Sequence, residues 1–475
     1  MELVFLISCI IPSLAFLVFA FKFLFSHDSR FKNLPPGSMG WPVIGETLEF
    51  LFGKPENFVL KRMKKYSPEI FKTNILGEKT VVICGPNGNK FLFSNEQKLF
   101  TVFRPHSMQK LFRSSYQTKA PPKESDLKTL RSSPAFLKPE ALARYLAKMD
   151  SITQQQMKKD WEGKHSAQVF PFSKTLTLML ACRFFLGTED PDRIARLVDH
   201  FDDITIGLHS ITVNVPGTIF YRAKQAVKAI RKELIEVVKE KKDAIASGAP
   251  MQDILSHMIV ATDSSGSFMP EIEIADKMMG LLTAGYSTVA TSITFFMKYV
   301  GERPDIYSKI LQEQKEIASG KKEGEMLQWE DIQKMKYSWN VVNEVMRLTP
   351  PLQGTFREAI TDITYAGFTI PKGWKIYWTV STTNKNPEYF PNPEEFNPSR
   401  YDDDKAIPPY VFVPFGGGPR MCPGKEYARF AILTFVFHVI NKFKWELEIP
   451  NEKIIGDMMP TPQMGLPIRL QPLDS

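Results

Sequence analysis

From Leu3 to Phe21 the chain carries no charged residue, a run close to the roughly 20 apolar residues that cross a bilayer's hydrocarbon core. Such a segment either stays in a membrane or is removed as a signal peptide. A cleaved signal has a basic start and a shorter apolar stretch ending at small residues. Here Glu2 precedes the run, Lys22, Arg30 and Lys32 follow it, and phenylalanines stand where a cleavage site wants alanine. The expectation is a retained membrane anchor and start of linker over residues 1–33. The basic flank then places the body, residues 34–475, on the cytoplasmic side.

Pro35 and Pro36 fix an extended stretch and Gly37 and Gly40 permit turns, which makes a stiff hinge behind the anchor. Beyond it, 43% hydrophobic and 12% aromatic residues supply a large core. Helical spacing of apolar residues predicts helices over Pro139–Trp161, Ala223–Lys242, Pro270–Val300 and Asp331–Arg347. Strand signals are fewer: "KTVVICG" around Val82, "GFTIPKGWKIYW" from Gly367 to Trp378, and "GLPIRLQP" near the C-terminus. With no repeat and no second linker, the pattern describes one mainly α body with a small β portion.

The net charge of +8 is spread along the chain, which suits an anionic membrane or an acidic partner. No basic run with interleaved aromatics points to nucleic acid. The four cysteines, Cys9, Cys84, Cys182 and Cys422, form no C-x-x-C pair, so neither a disulfide framework nor a zinc site is indicated. Free thiols suit a reducing compartment, and Asn397-Pro398-Ser399 is blocked as a glycosylation site by its proline.

Three constellations carry chemistry. In "FVPFGGGPRMCPGKEYARF", Phe415, Gly418, Arg420, Cys422 and Gly424 fall into the spacing F-x-x-G-x-R-x-C-x-G. In "NEVMRLTPPL", Glu344 and Arg347 stand at i, i+3 on one helix face, ahead of Phe396, Pro398 and Arg400. In "GLLTAGYSTVATS", inside the long apolar helix, Ala284 and Thr288 stand at i, i+4 around Gly285. A lone cysteine is ordinarily a small buried hydrophobe and a lone i, i+3 ion pair a surface contact, but these occur together and in order.

Together they resemble the cytochrome P-450 superfamily, over essentially the whole chain. The resemblance implies the cytochrome P-450 fold with an N-terminal transmembrane helix, and heme b with Cys422 as axial ligand of the iron. Glycines let backbone approach a flat macrocycle, an arginine forks onto a propionate, and a thiolate pushes electron density onto iron. By resemblance Glu344, Arg347 and Arg400 form a structural network behind the thiolate loop. Ala284, Gly285 and Thr288 are the oxygen-activation motif, with Gly285 leaving room for oxygen beside the iron. Arg131 and Arg357 are implied propionate contacts, the bland reading of Arg357 being an exposed strand arginine.

Two positions depart from the family pattern. Ser287 stands where an acid usually precedes the threonine, so proton delivery would need ordered water. Leu127 stands where a tryptophan usually accompanies Arg131. The hinge, "YSWNVVNEVMRLTPPLQGTFREA", "FTIPKGWKIYW" and "PFGGGPRMCPGKEYAR" look most like the plant group that oxidises pentacyclic and dammarane-type triterpenes such as β-amyrin. That implies oxidation of an unactivated C–H bond with O2. With no Rossmann fingerprint or P-loop, electrons are expected from a separate NADPH-cytochrome reductase, steered by Lys128, Arg131, Lys138, Lys425 and Arg429. Family segments give substrate-facing candidates at Arg104 to Phe112, Asn214 to Thr218, Leu352, Gln353, Thr355, Gln463 and Met464. The alternatives are a sterol or diterpenoid oxidase, an oxygen-independent isomerase or dehydratase, and, outside enzymes, a haem carrier or degenerate membrane protein. The expected place is the endoplasmic reticulum membrane, single-pass.

Overall fold

The computed structural model describes residues 13–18, 33–42, 44–112, 139–208, 210–262, 265–322, 324–402, 407–456 and 458–473. Residues 13–18 are helical, and their large apolar side chains Leu14, Phe16, Leu17 and Val18 are exposed. The rest of the expected anchor lies outside the described residues, as do Leu127, Lys128, Arg131 and Lys138. Among the described residues one helix is long and apolar enough to cross a membrane, Val169–Leu186, and most of it is buried within the body as a core helix.

The chain divides into two compact units, Met1–Phe103 with Gln353–Thr383, and Arg104–Leu352 with Asn384–Ser475. The first is built on a five-stranded sheet with strands β1 (Ile70–Ile75), β2 (Glu78–Ile83), β3 (Phe100–Phe103), β4 (Gly354–Ala359) and β5 (Lys375–Thr379) in the order β1-β2-β5-β4-β3. Leu76 and Gly77, both at positive φ (56° and 78°), make the tight turn that pairs Ile70 with Ile83 and sets the β1–β2 register. β2 runs parallel to β5, while β4 is antiparallel to both β5 and β3. The stretch from Gly367 to Trp378 proves to be two strands in two sheets. Phe368–Ile370 forms a hairpin with Ile363–Tyr365, and after Pro371 and Gly373 the chain enters β5.

In the second unit seven helices position the site: α1 (Pro139–Asp160), α2 (Val169–Ala181), α3 (Pro191–Gly207), α4 (Ile219–Ala246), α5 (Glu271–Gly301), α6 (Lys336–Leu348) and α7 (Lys425–Lys442). α5 follows Pro270 at its N-cap and carries Glu271 and Glu273 in its first turn, where the helix dipole favours negative charge. From Val289 to Met297 every residue is buried, because α2, α4, α6 and α7 all pack against this helix. The helix expected over Asp331–Arg347 is broken at Met335 (φ −76°, ψ 53°) into Trp329–Lys334 and α6. The cause is a distant side chain: the Glu313 carboxylate accepts the amides of Tyr337 at 2.7 Å and Ser338 at 3.0 Å and caps a new start.

α1 and α7 are joined through a buried pair, Asp150 and His438, whose carboxylate and ring nitrogen are in hydrogen-bond contact. The second Asp150 oxygen accepts the Leu327 amide at 2.8 Å. Burial pulls the Asp150 carboxyl upward, but His438 and the Leu327 amide outweigh it and hold it below the ordinary aspartate range. A depressed folded pKa means that the stabilisation is present above the unfolded aspartate value of about 3.9 and is lost as pH falls through the folded one. Asp150→Ala is expected to cost about 1–3 kcal/mol at neutral pH by leaving the buried His438 ring and the Leu327 amide without their carboxylate partner. Thermal unfolding from pH 7 to pH 3 checks this, and the gap between wild type and variant should shrink below about pH 4.

Candidate active site

The loop from Phe412 to Gly424 closes on itself through the Cys422 amide, which donates to the Phe415 carbonyl at 2.8 Å. Gly418 sits at φ +62°, a left-handed conformation that suits glycine, and starts a short 3₁₀ turn through Arg420. Cys422 is a half-buried free thiol. Burial pushes it up, the Gly424 amide pulls the other way, and the net is above the ordinary cysteine value. A cation at sulfur reverses that preference, since a coordinating thiol is deprotonated. Gly424 is the N-cap of α7, so the thiol stands immediately ahead of a rigid helix.

In the middle of α5 the burial pattern breaks along one stripe. Gly280, Leu281 and Thr288 are half-buried and Ala284 is exposed, although Leu282, Thr283, Tyr286, Ser287 and Val289 between and beside them are buried. Positions i, i+4 and i+8 share one face, and a Cβ on Gly280 would meet nothing within 4 Å. The stripe is therefore a shallow, side-chain-poor strip of helix, suited to a flat group with Ala284 at its centre. The Thr288 hydroxyl donates to the Ala284 carbonyl at 2.8 Å, so that carbonyl is shared between helix and side chain. The Ser287 hydroxyl donates to the Thr283 carbonyl at 3.1 Å and its residue is buried, off the open strip.

Gly285 has a packing role. A Cβ there would lie 2.9 Å and 3.2 Å from Cε2 and Cζ of Phe185 and 3.7 Å from Cε1 of Tyr427. The missing side chain is used by packing, and the uncovered position is Ala284. Phe185 belongs to a π-helical turn, Cys182–Leu186, that continues α2, and its ring lies 5.5 Å from that of Tyr427 in the first turn of α7. This contact joins the thiol loop's helix to the turn bearing Ala284 and Thr288. The sequence held no signal for it, because the three residues come from segments far apart in the chain.

Arg347 grips Glu344 with two hydrogen bonds of 2.8 Å, and both side chains are fully buried. Arg347 also donates to the carbonyls of Asn384, Pro393 and Glu395, while Glu344 receives Arg400, Tyr401 and the Asn397 amide. Arg357 is buried rather than an exposed strand arginine: its guanidinium reaches Glu96 and the Thr355 hydroxyl. Phe112 is half-buried at the end of His106–Phe112, whereas Leu352 and Met464 are exposed. Gln353 is engaged locally, its side-chain oxygen accepting the Ser381 hydroxyl at 2.8 Å. Gln353 and Thr355 belong to the first unit and Leu352, Phe112, Gln463 and Met464 to the second. Arg429 lies 5.7 Å over the Trp339 ring and 3.6 Å from Glu426.

The family model described as Cytochrome P450 matches residues 35–469. A beta-amyrin 28-monooxygenase of Saponaria officinalis is 51% identical, with 99% of this chain and 98% of that protein aligned. Another of the same name from Medicago truncatula is 50% identical, covering 99% of each. Among solved structures, retinoic-acid-bound cyanobacterial CYP120A1 superposes with a TM-score of 0.82 at 32% identity, covering 93% of this chain and 100% of that one.

The Gly285 contact gives a direct test. Gly285→Ala drives a methyl into the Phe185 ring and is expected to cost about 1–3 kcal/mol, read as a lowered thermal midpoint and less haem-loaded protein. Phe185→Leu in the same chain should recover much of the loss, since it removes the atoms that collide.

Proposed function

The chain belongs to the cytochrome P450 family, and from that footing we propose that it hydroxylates, or oxidises stepwise, an unactivated C–H bond of a pentacyclic triterpene of the β-amyrin type. As a family member it is a haem-thiolate oxidoreductase that uses O2 and reducing equivalents delivered by a redox partner. The observation that carries the reading is the open strip Gly280–Ala284–Thr288 in a mostly buried helix, joined through Gly285, Phe185 and Tyr427 to the helix that begins just after Cys422. The substrate class rests on relatives about half identical over their full length that are named for β-amyrin.

The residues present fit a haem. Cys422 would hold the iron and Arg420 a propionate, and the side-chain-poor strip of α5 would leave room for a flat group. Arg357 is already engaged by Glu96 within the first unit. When bound, the haem supplies an iron whose thiolate ligand favours O–O cleavage. Ala284 leaves the strip uncovered. The Thr288 hydroxyl, held at the Ala284 carbonyl, is placed to orient water and pass a proton. Ser287, tied to Thr283, orients its own turn and does not act as an acid. Glu344, Arg347 and Arg400 hold the segment from Asn384 to Tyr401 and touch no substrate. We assign the electron donor as an NADPH-cytochrome reductase meeting the basic side near Lys425 and Arg429, and the location as the cytoplasmic face of the endoplasmic reticulum membrane, anchored by the N-terminal apolar run.

Two variants test this. Cys422→Ser should abolish the thiolate-type carbon monoxide difference spectrum together with turnover, and an intact spectrum would remove Cys422 from its role. Thr288→Ala should keep that spectrum and keep consuming NADPH, while product from β-amyrin falls and peroxide rises. Unchanged product per NADPH would instead show that proton delivery does not run through Thr288. Co-expression with a reductase and a β-amyrin cyclase, followed by product analysis, identifies the carbon, and position 28 is the one to inspect first.

A further inference from the structure

The turn that carries Ala284 and Thr288 is held from behind by a polar chain across three helices. Tyr286 lies two residues before Thr288, about 200° around the helix, and so on the opposite face from the open strip. Its ring is buried and its hydroxyl donates to the Asp202 carboxylate on α3, whose other oxygen pairs with Lys174 on α2. The backbone of the same residue is approached too: the buried Thr177 hydroxyl of α2 lies 3.1 Å from the Tyr286 carbonyl and shares its one proton between it and the nearer Ser173 carbonyl at 2.8 Å. Phe201 of α3 lies beside the Tyr286 ring, centroids 5.9 Å apart. Burial, then the nearby carboxylates of Asp202 and Asp199, push the Tyr286 phenol well above its ordinary value, so it remains a donor throughout the working pH range. At its C-terminal end, just beyond Asp202, α3 is held by Ser107, whose hydroxyl donates to the Leu208 carbonyl. Ser107 falls in the Arg104–Phe112 segment proposed above as substrate-facing.

We propose that Tyr286 and Asp202 are positioning residues for oxygen chemistry: the chain Lys174–Asp202–Tyr286 fixes the rotation and depth of the Ala284–Thr288 turn and ties it to the position of α3. Ser287 brings no carboxylate to this turn, and the carboxylate that meets it comes from the neighbouring helix through the Tyr286 hydroxyl. A charge-assisted hydrogen bond in a buried setting resists both stretching and rotation. Loss of that bond leaves the helix formed but lets Thr288 drift from the geometry in which it holds a proton donor. The proposal rests on Thr288 acting as assigned above, and its first readout requires neither substrate nor turnover.

The experiment compares full-length, haem-loaded wild type with Tyr286→Phe, Asp202→Ala, Asp202→Glu and the packing control Phe201→Leu. Hydrogen–deuterium exchange over residues 284–292 should quicken about tenfold in Tyr286→Phe and Asp202→Ala, the size expected for one lost hydrogen bond to a charged group. The double variant should be no faster than the faster single one. Haem content and the carbon monoxide spectrum should stay those of wild type. With reductase and β-amyrin, product per NADPH should fall several-fold in both variants with little change in the substrate concentration giving half-maximal rate. Asp202→Glu should recover part of the loss, and Phe201→Leu should lower thermal stability while leaving product per NADPH unchanged. Wild-type exchange in both variants, or wild-type product per NADPH in either, overturns the proposal. If Tyr286→Phe does not accumulate, Asp202→Ala and Asp202→Glu decide alone. Absence of turnover on β-amyrin by wild type would count against the substrate, and the exchange result would stand by itself.

Discussion

A helix buried on nearly every side has to satisfy its polar side chains within itself, and α5 is the element on which the second unit depends for this reason. Thr283, Ser287, Thr288, Thr291, Ser292 and Thr294 each return a hydroxyl to the carbonyl four residues earlier, at 2.8 to 3.1 Å. Those bonds remove the desolvation cost that unpaired hydroxyls would impose in such a core. They also share carbonyls between helix and side chain over consecutive turns, which loosens the backbone where an oxygen site would need it. The same helix can therefore be core along most of its length and leave a bare strip at Ala284.

A loosened turn needs outside restraint, and the surrounding helices supply it. Phe185 fills the space a side chain on Gly285 would occupy, the Thr177 hydroxyl lies against the Tyr286 carbonyl, and Asp202 takes the Tyr286 hydroxyl. On α6, Glu344 and Arg347 have no solvent exposure. A buried pair of this kind gives little net stability over an apolar replacement, but it leaves a large penalty if one partner goes. Its value lies in the geometry it imposes: one guanidinium collects three carbonyls from the segment leading to the loop, and one carboxylate collects Arg400, Tyr401 and the Asn397 amide.

The long helices were legible because apolar spacing is a local property, and α1, α4 and α5 begin and end within a few residues of where periodicity puts them. Failures arose where a distant residue decided the outcome. Glu313 splits the expected Asp331–Arg347 helix by capping a new start at Tyr337 and Ser338. Pairing partners from elsewhere send Phe368–Ile370 and Lys375–Thr379 into different sheets. At Gly285 the sequence shows that a side chain is missing, and only the structure shows Phe185 standing where it would be.

The sequence by itself determined the chemistry available: a cysteine at fixed spacing from glycines and an arginine, a threonine one turn beyond an alanine, and a glutamate one turn before an arginine. Short-range spacing sets these relations through bond geometry and helical pitch, so they survive without knowledge of the rest of the fold. Only the tertiary structure decided which of them face open space and which are spent on packing. Ala284 is exposed while Gly285 is filled by Phe185, Ser287 turns inward to Thr283, Arg357 is already engaged by Glu96, and Tyr286 finds its carboxylate on another helix. Each of these outcomes depends on contacts between residues dozens to hundreds of positions apart, or on which side of a helix its neighbours cover, and neither is fixed until the elements pack.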